Sequence, residues 1–300
     1  MADFVKENSS NNDGMENKNT SNEKIISKAF QSHTKGNIAE AEKYYQILIR
    51  KKLEDYRIFS NYGVILKSKG NLKEAEFYTR KSIKLNPDFV NGHSNLSSIL
   101  SDLQKFEEAE FHARKAIKLS PECEKAHCNL GNILYNFGKL KEAELHTREA
   151  IQLNPDFLNA HSNLSNILNN LGKLKEAEFH ARKAIQLNPN EINAHFNLSN
   201  ILTNLEKLNE AEFHIRKAIQ LNPDCENSHS NLGNILNKIG KFKEAELHTR
   251  KAIQLNPDFL NAHSNLSSIL SNLGKLNEAE FHARKAIQLN PDFLNAHSNL

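Results

Sequence analysis

Eight asparagines recur at a constant interval of 34 residues: Asn61, Asn95, Asn129, Asn163, Asn197, Asn231, Asn265 and Asn299. A carboxamide offers an acceptor oxygen and two N–H donors, so it can pair with both sides of a peptide bond. Repeated along an array, that chemistry would hold an extended main chain regardless of its side chains. Asparagine is also a poor residue for a helix interior, which makes eight in register a candidate peptide-binding row. The competing role is to satisfy neighbouring helix ends or to meet solvent. Asn166, Asn200 and Asn234, three residues further on, widen the same polar stripe.

Two rows of histidines share the interval. One is His93, His127, His161, His195, His229, His263 and His297, and the other is His112, His146, His180, His214, His248 and His282. A metal needs several ligands within about 2 Å of the ion, whereas members of one row sit a whole repeat apart. The two rows come from different helices, and no metal and no cofactor is expected. There is no Ser/His/Asp arrangement, no Gly-rich phosphate loop and no paired carboxylates outside the repeat. A catalytic constellation should be singular, and every motif here recurs, so these residues are not read as an enzyme.

What positions these side chains is a repeated unit. All seven prolines, Pro87 to Pro291, are 34 residues apart, and so are Ala75, Ala109 and their equivalents. That period belongs to a helix–turn–helix element stacked into a solenoid. The unit 158–191 serves as the type. Leu164, Ile167, Leu168 and Leu171 mark the apolar face of helix A, Gly172 the turn, and Ala177, Ala181, Ala184 and Ile185 the core face of helix B. Asn188-Pro189 ends helix B, because proline disfavours helical geometry in the residue before it. Seven units follow this pattern: 56–89, 90–123, 124–157, 158–191, 192–225, 226–259 and 260–293. A divergent unit at 22–55 precedes them, with Leu53 in place of the proline, and residues 1–21 are polar enough to be read as a disordered tail. Residues 294–300 begin an eighth unit, too short for an independent helix, from which the chain is read as a fragment of something longer. Residues 154–189 and 256–291 differ at only three positions, so a block of three units reads as copied whole. The Glu178–Arg182 pair and its equivalents, four residues apart on helix B, are read as solvated supports.

Composition narrows the class. The 39 basic and 36 acidic residues are finely mixed, which gives no electrostatic footprint for nucleic acid or an anionic membrane. No apolar run is long enough to cross a bilayer and no secretory signal opens the chain. Three cysteines without metal-ligand spacing suit a reduced, cytoplasmic setting.

The residues resemble the tetratricopeptide repeat, in which bulky, Leu, small, apolar, Ala, Ala and Pro residues recur in order. In 226–259 these fall on His229, Leu232, Gly233, Leu236, Ala245, Ala252 and Pro257. The departures are histidine at the fourth position and a small or β-branched residue at the twenty-fourth, for which Phe179 and its equivalents are expected to compensate in part. The resemblance also implies that one histidine row lies in a helix-packing seam while the other faces outward. Seam histidines that titrate near neutrality would loosen the fold between about pH 7 and about pH 5. The run Ala-His-Ser-Asn-Leu-Ser at 160–165 and 262–267 is similar to the superhelix of the O-GlcNAc transferases. There an asparagine ladder on the inner face holds a substrate peptide. The resemblance implies an all-α superhelix that scaffolds protein–protein interaction, with a peptide or partner helix in a concave groove lined by the asparagine row. The alternative it implies is the substrate-recognition region of a larger glycosyltransferase or sulfotransferase whose catalytic domain is not in this chain. A purely structural spacer is the third reading.

Overall fold

Each repeat carries two apolar stripes of helical spacing, and in a computed structural model both stripes are helices. The structure describes the backbone of residues 9–292 and the side chains of residues 22–292. Asn299 and His297 lie outside the described residues. Every regular element among the described residues is a helix.

The helices fall into two units that divide between Lys139 and Leu140. The first contains α1 (Ser9–Thr34), α2 (Ile38–Arg50), α3 (Tyr56–Ser68), α4 (Leu72–Leu85), α5 (Val90–Asp102), α6 (Phe106–Leu119) and α7 (Glu124–Asn136). The second contains α8 (Leu140–Leu153), α9 (Leu158–Asn170), α10 (Leu174–Leu187), α11 (Ile192–Asn204) and α12 (Leu208–Leu221), then α13 (Glu226–Ile239), α14 (Phe242–Leu255), α15 (Leu260–Asn272) and α16 (Leu276–Leu289). Odd-numbered helices are helix A of a repeat and even-numbered ones helix B.

In α9 the residues Ala160, Leu164, Ile167 and Leu168 share one buried face, and in α10 Ala177, Ala181 and Ala184 form the facing stripe. Methyl groups alone at that crossing let the two backbones approach closely. Within each unit the B helix also packs on the next A helix, and consecutive A helices touch directly, α9 on α11, α11 on α13 and α13 on α15. Side chains one repeat apart therefore meet along the A helices, which is what makes a ladder there physically meaningful.

The turns explain two irregularities of the sequence. Gly172 takes φ 74°, and Lys173 N–H then bonds Leu168 O at 2.9 Å, closing helix A with a left-handed cap. Gln104 (φ 59°) and Glu206 (φ 57°) adopt the same conformation without being glycine, and Lys105 and Lys207 N–H still close on Leu100 O and Leu202 O at 2.9 Å. The array thus imposes the cap geometry at an intrinsic cost of roughly 1–2 kcal/mol per site. In α2, where the proline is missing, Lys52 takes φ 57° and Leu53 N–H bonds Leu48 O, so a left-handed cap replaces the Asn-Pro stop.

At the N-terminal end α1 is described from Ser9 to Thr34, and its residues Ile25, Ile26, Ala29 and Phe30 pack on Ala41, Tyr45 and Leu48 of α2. Once a packed turn exists, each further residue adds a backbone hydrogen bond without a new nucleation cost.

Candidate functional site

All the asparagines of the row that lie within the described side chains sit half-buried on A helices at the same register. Their amide nitrogens reach back to the preceding repeat. Asn95 Nδ2 donates to Ser60 Oγ at 2.9 Å, and Asn129 Nδ2 to Ser94 O at 2.9 Å and Ser97 Oγ at 3.2 Å. In the second unit Asn197 donates to Ser162 O at 3.1 Å, Asn265 to Ser230 Oγ at 3.1 Å, and Asn231 to Asn200 Oδ1 at 2.7 Å. Asn61 hydrogen-bonds the side chain of Tyr45, and Asn163 holds the equivalent place on α9. The nitrogen end of the row is therefore engaged in joining repeats. Oδ1 of Asn95, Asn129, Asn197 and Asn265 accepts no hydrogen bond from the described residues. The receiving serines Ser60, Ser94, Ser162 and Ser230 each stand one position before an asparagine of the row, with Cys128 and Phe196 breaking the series, and that partial recurrence was the signal from which this partnership could have been read.

A second amide row runs beside the first. Asn204 Nδ2 donates to Asn169 Oδ1 and Asn272 Nδ2 to Asn237 Oδ1, each at 2.9 Å. Charge is almost absent from this face in the second unit. Helices α9, α11 and α15 contain no Asp, Glu, Lys or Arg. Helix α13 contains Glu226 and Lys238, and Lys238 is paired with Glu206.

The histidine rows are not arranged as expected. The second row does not face outward: His112, His180, His214 and His282 are buried, 8–9% exposed, and each meets a histidine of the first row inside its own repeat. The Nδ1···Nδ1 separations are 2.8 Å for His93–His112, 2.9 Å for His161–His180 and 3.0 Å for His195–His214. They are 3.1 Å for His229–His248 and 2.9 Å for His263–His282. The reason is geometric, since the start of helix A crosses the second half of helix B. Protons are assigned by the neighbours. His161 Nε2 lies 2.9 Å from Pro155 O, which only accepts, so Nε2 carries the hydrogen and Nδ1 is left as acceptor. His180 Nδ1–H then donates to it. Burial first, and the partner imidazole second, push His112, His180, His214 and His282 down to about 4, and the same causes lower His248. Among the described residues no three or more His, Cys, Asp or Glu gather as a metal site.

Comparison with protein families decides the identity of the repeat. Models of the tetratricopeptide repeat match residues 56–89, 91–123, 124–157, 158–191, 192–225, 227–259 and 260–293. The chain belongs to the tetratricopeptide repeat family. A comparison with curated protein sequences returned no match. Among solved structures the chain is similar to one titled "Crystal structure of APC/C hetero-tetramer Cut9-Hcn1", at 14% identity and TM-score 0.78 over 92% of this chain and 54% of that one. The chain thus spans about half the length of that relative. It is also similar to an IFIT1 monomeric mutant with Gppp-AAAA, at 18% identity and TM-score 0.69, over 90% of this chain and 69% of that one. A third, YrrB, titled a TPR protein with an unusual peptide-binding site, matches at 22% identity and TM-score 0.49 over 62% of this chain and 96% of that one. At these identities the likeness is one of fold. The expectation of no nucleic acid, drawn from charge, is not supported by these comparisons.

Two further expectations about the tetratricopeptide units need correcting. Phe179 and its equivalents do not refill the core: Phe179 is 63% exposed. Its position lies two residues after Ala177, on the far side of the helix B core stripe. The histidine pairs supply the missing bulk instead, and in the repeat 56–89 Phe59 stacked on Tyr78 at 6.1 Å takes their place. The Glu–Arg pairs are also more than local supports. Glu144 binds Arg148 at 2.8 Å and Lys173 of the next repeat at 2.7 Å, while Arg148 also binds Glu176 of that repeat at 2.7 Å. Burial pushes the Glu144 carboxyl up, but the hydrogen bonds from Lys173 and Arg148 outweigh it and hold the group below its usual range. No described helix is long and apolar enough to cross a membrane.

Proposed function

We propose that this tetratricopeptide array is a protein–protein interaction scaffold. On this reading the A-helix face of the second unit takes an extended protein segment of low charge, whose main-chain N–H groups donate to the asparagine row. The observation that carries this reading is that half-buried Asn197 and Asn265 of this row accept no hydrogen bond at Oδ1 from the described residues, on a face with almost no charge. An acceptor oxygen held by its own amide nitrogen is oriented before any ligand arrives, which lowers the entropy cost of binding. A strongly charged ligand would surrender hydration on this face without gaining a counter-charge.

The test is a binding selection on the full chain with peptides of varied charge, followed by titration at about 50 mM and about 500 mM salt. Affinity for the selected peptides is expected to change by less than about threefold, since few ions are released. Selection of highly charged peptides or of RNA, with affinity falling steeply in salt, would contradict the proposal.

A further inference from the structure

The second unit carries a second periodic surface on its B helices. Leu145, Phe179, Phe213, Leu247 and Phe281 stand one per repeat on α8, α10, α12, α14 and α16, each 63–67% exposed. The phenylalanines are held by an edge contact with the adjacent histidine, with ring centroids 5.1 Å apart. Single exposed apolar residues need no explanation, but five at one register form an evenly spaced ladder. Between consecutive rungs runs an Arg–Glu pair, always in the same order. These pairs are Arg148–Glu176, Arg182–Glu210, Arg216–Glu244 and Arg250–Glu278, at 2.5–2.7 Å.

We infer that this ladder is a self-association surface, on which a second copy of the chain docks antiparallel, rung against rung. Three features select that occupant. A second copy presents apolar groups at the same interval, so every rung finds a partner at once. Reversing the chain reverses the Arg–Glu order, which sets each arginine opposite a glutamate, whereas a parallel copy would set arginine opposite arginine. The area also suffices: at roughly 100 Å² of exposed side chain per rung, ten rungs from two copies bury on the order of 1,000 Å², the lower bound for a specific interface. Phe77 and Phe111 of the first unit are equally exposed, and full overlap of the second unit's five rungs fixes the register. An antiparallel pair is isologous about its centre, so Phe213, the middle rung, meets Phe213 of the second copy, and Leu145 meets Phe281.

Sedimentation equilibrium of the full chain tests the association. The wild type is expected to show a reversible dimer, and the triple variant Phe179→Asn, Phe213→Asn, Phe281→Asn to weaken it about tenfold or more. Circular dichroism of that variant is expected to be unchanged, because the replaced rings are exposed. Orientation is read by oxidative crosslinking in a Cys225→Ser background, where the remaining Cys123 and Cys128 are buried. Phe213→Cys is expected to form a disulfide-linked dimer and Leu145→Cys to form little. A monomer at every soluble concentration would overturn the inference and leave the ladder to an apolar segment of another protein. Equal dimerisation of the triple variant, or equal crosslinking of the two cysteine variants, would overturn it as well.

Discussion

Ser228 occupies the position that Ala126, Ala160, Ala194 and Ala262 hold in other repeats, and its fully buried Oγ has no hydrogen-bond partner. A buried hydroxyl without a partner keeps its desolvation cost and returns nothing. Ser228→Ala is therefore expected to raise stability by about 1 kcal/mol, measured as a shift of the urea midpoint at constant slope. The histidine pairs make a second prediction. Burial and the partner imidazole lower His112, His180, His214 and His282 to about 4 in the fold against 6.5 for a free imidazole. Between those values the unfolded chain binds more protons, so stability falls as pH drops from 6.5 through about 4 and is insensitive to these groups above 6.5. Arg148 and Glu176 face His180, and Arg182 and Glu210 face His214; each glutamate favours the charged imidazole, but less than burial and the partner histidine oppose it. Thermal melts from pH 7.5 to 4 are expected to show the decline beginning near 6.5, and a flat profile down to pH 4.5 would refute the pairing. The rows themselves were legible in the sequence. That the two rows meet was not, because it depends on where two helices cross rather than on either periodicity.

At the scale of the helix pair, one packing problem has two solutions. In repeats 56–89 and 226–259, Gly63 and Gly233 on helix A face Thr79 and Thr249, whose Oγ1 atoms donate to Ala75 O and Ala245 O at 2.8 Å. In repeats 192–225 and 260–293 a helix A serine supplies that hydroxyl across the crossing, Ser199 to Ala211 O at 3.0 Å and Ser267 to Ala279 O at 2.8 Å. The facing residue is then Ile215 or Ala283. A Cβ on Gly233 would come within 2.0 Å of Thr249 Oγ1. Gly233→Ser alone is expected to cost about 1–3 kcal/mol by overpacking. With Thr249→Ala added the cost is expected to vanish, since the introduced serine hydroxyl can then take over the bond to Ala245 O. A double-mutant cycle by chemical denaturation reads the coupling, and additive effects would count against the shared site. Helix positions, turns and the small residues at the crossing were all readable from the 34-residue period. Gly-with-Thr against Ser-with-Ala or Ser-with-Ile is also written in the sequence, but only the crossing gives it meaning.

At the scale of the molecule, the two faces of the repeats differ in kind. The B helices carry the ion pairs that join one repeat to the next, together with the exposed apolar ladder. The A helices of the second unit carry amides and hydroxyls joined repeat to repeat and almost no charge. The tetratricopeptide architecture and the asparagine row were apparent from residue spacing. The narrowing of that row to its oxygen atoms was not, because it rests on the amide nitrogens of Asn95, Asn129, Asn197, Asn231 and Asn265 finding a serine or amide in the preceding repeat. The central claim is that these oxygens accept main-chain N–H groups. Its most direct test is calorimetric titration of the full chain with a selected low-charge peptide and with the same peptide N-methylated at alternate residues. N-methylation removes the donor while keeping every side chain, and the account predicts about a tenfold or greater loss of affinity in one of the two alternating registers. Equal affinity of the parent and both N-methylated peptides would contradict it.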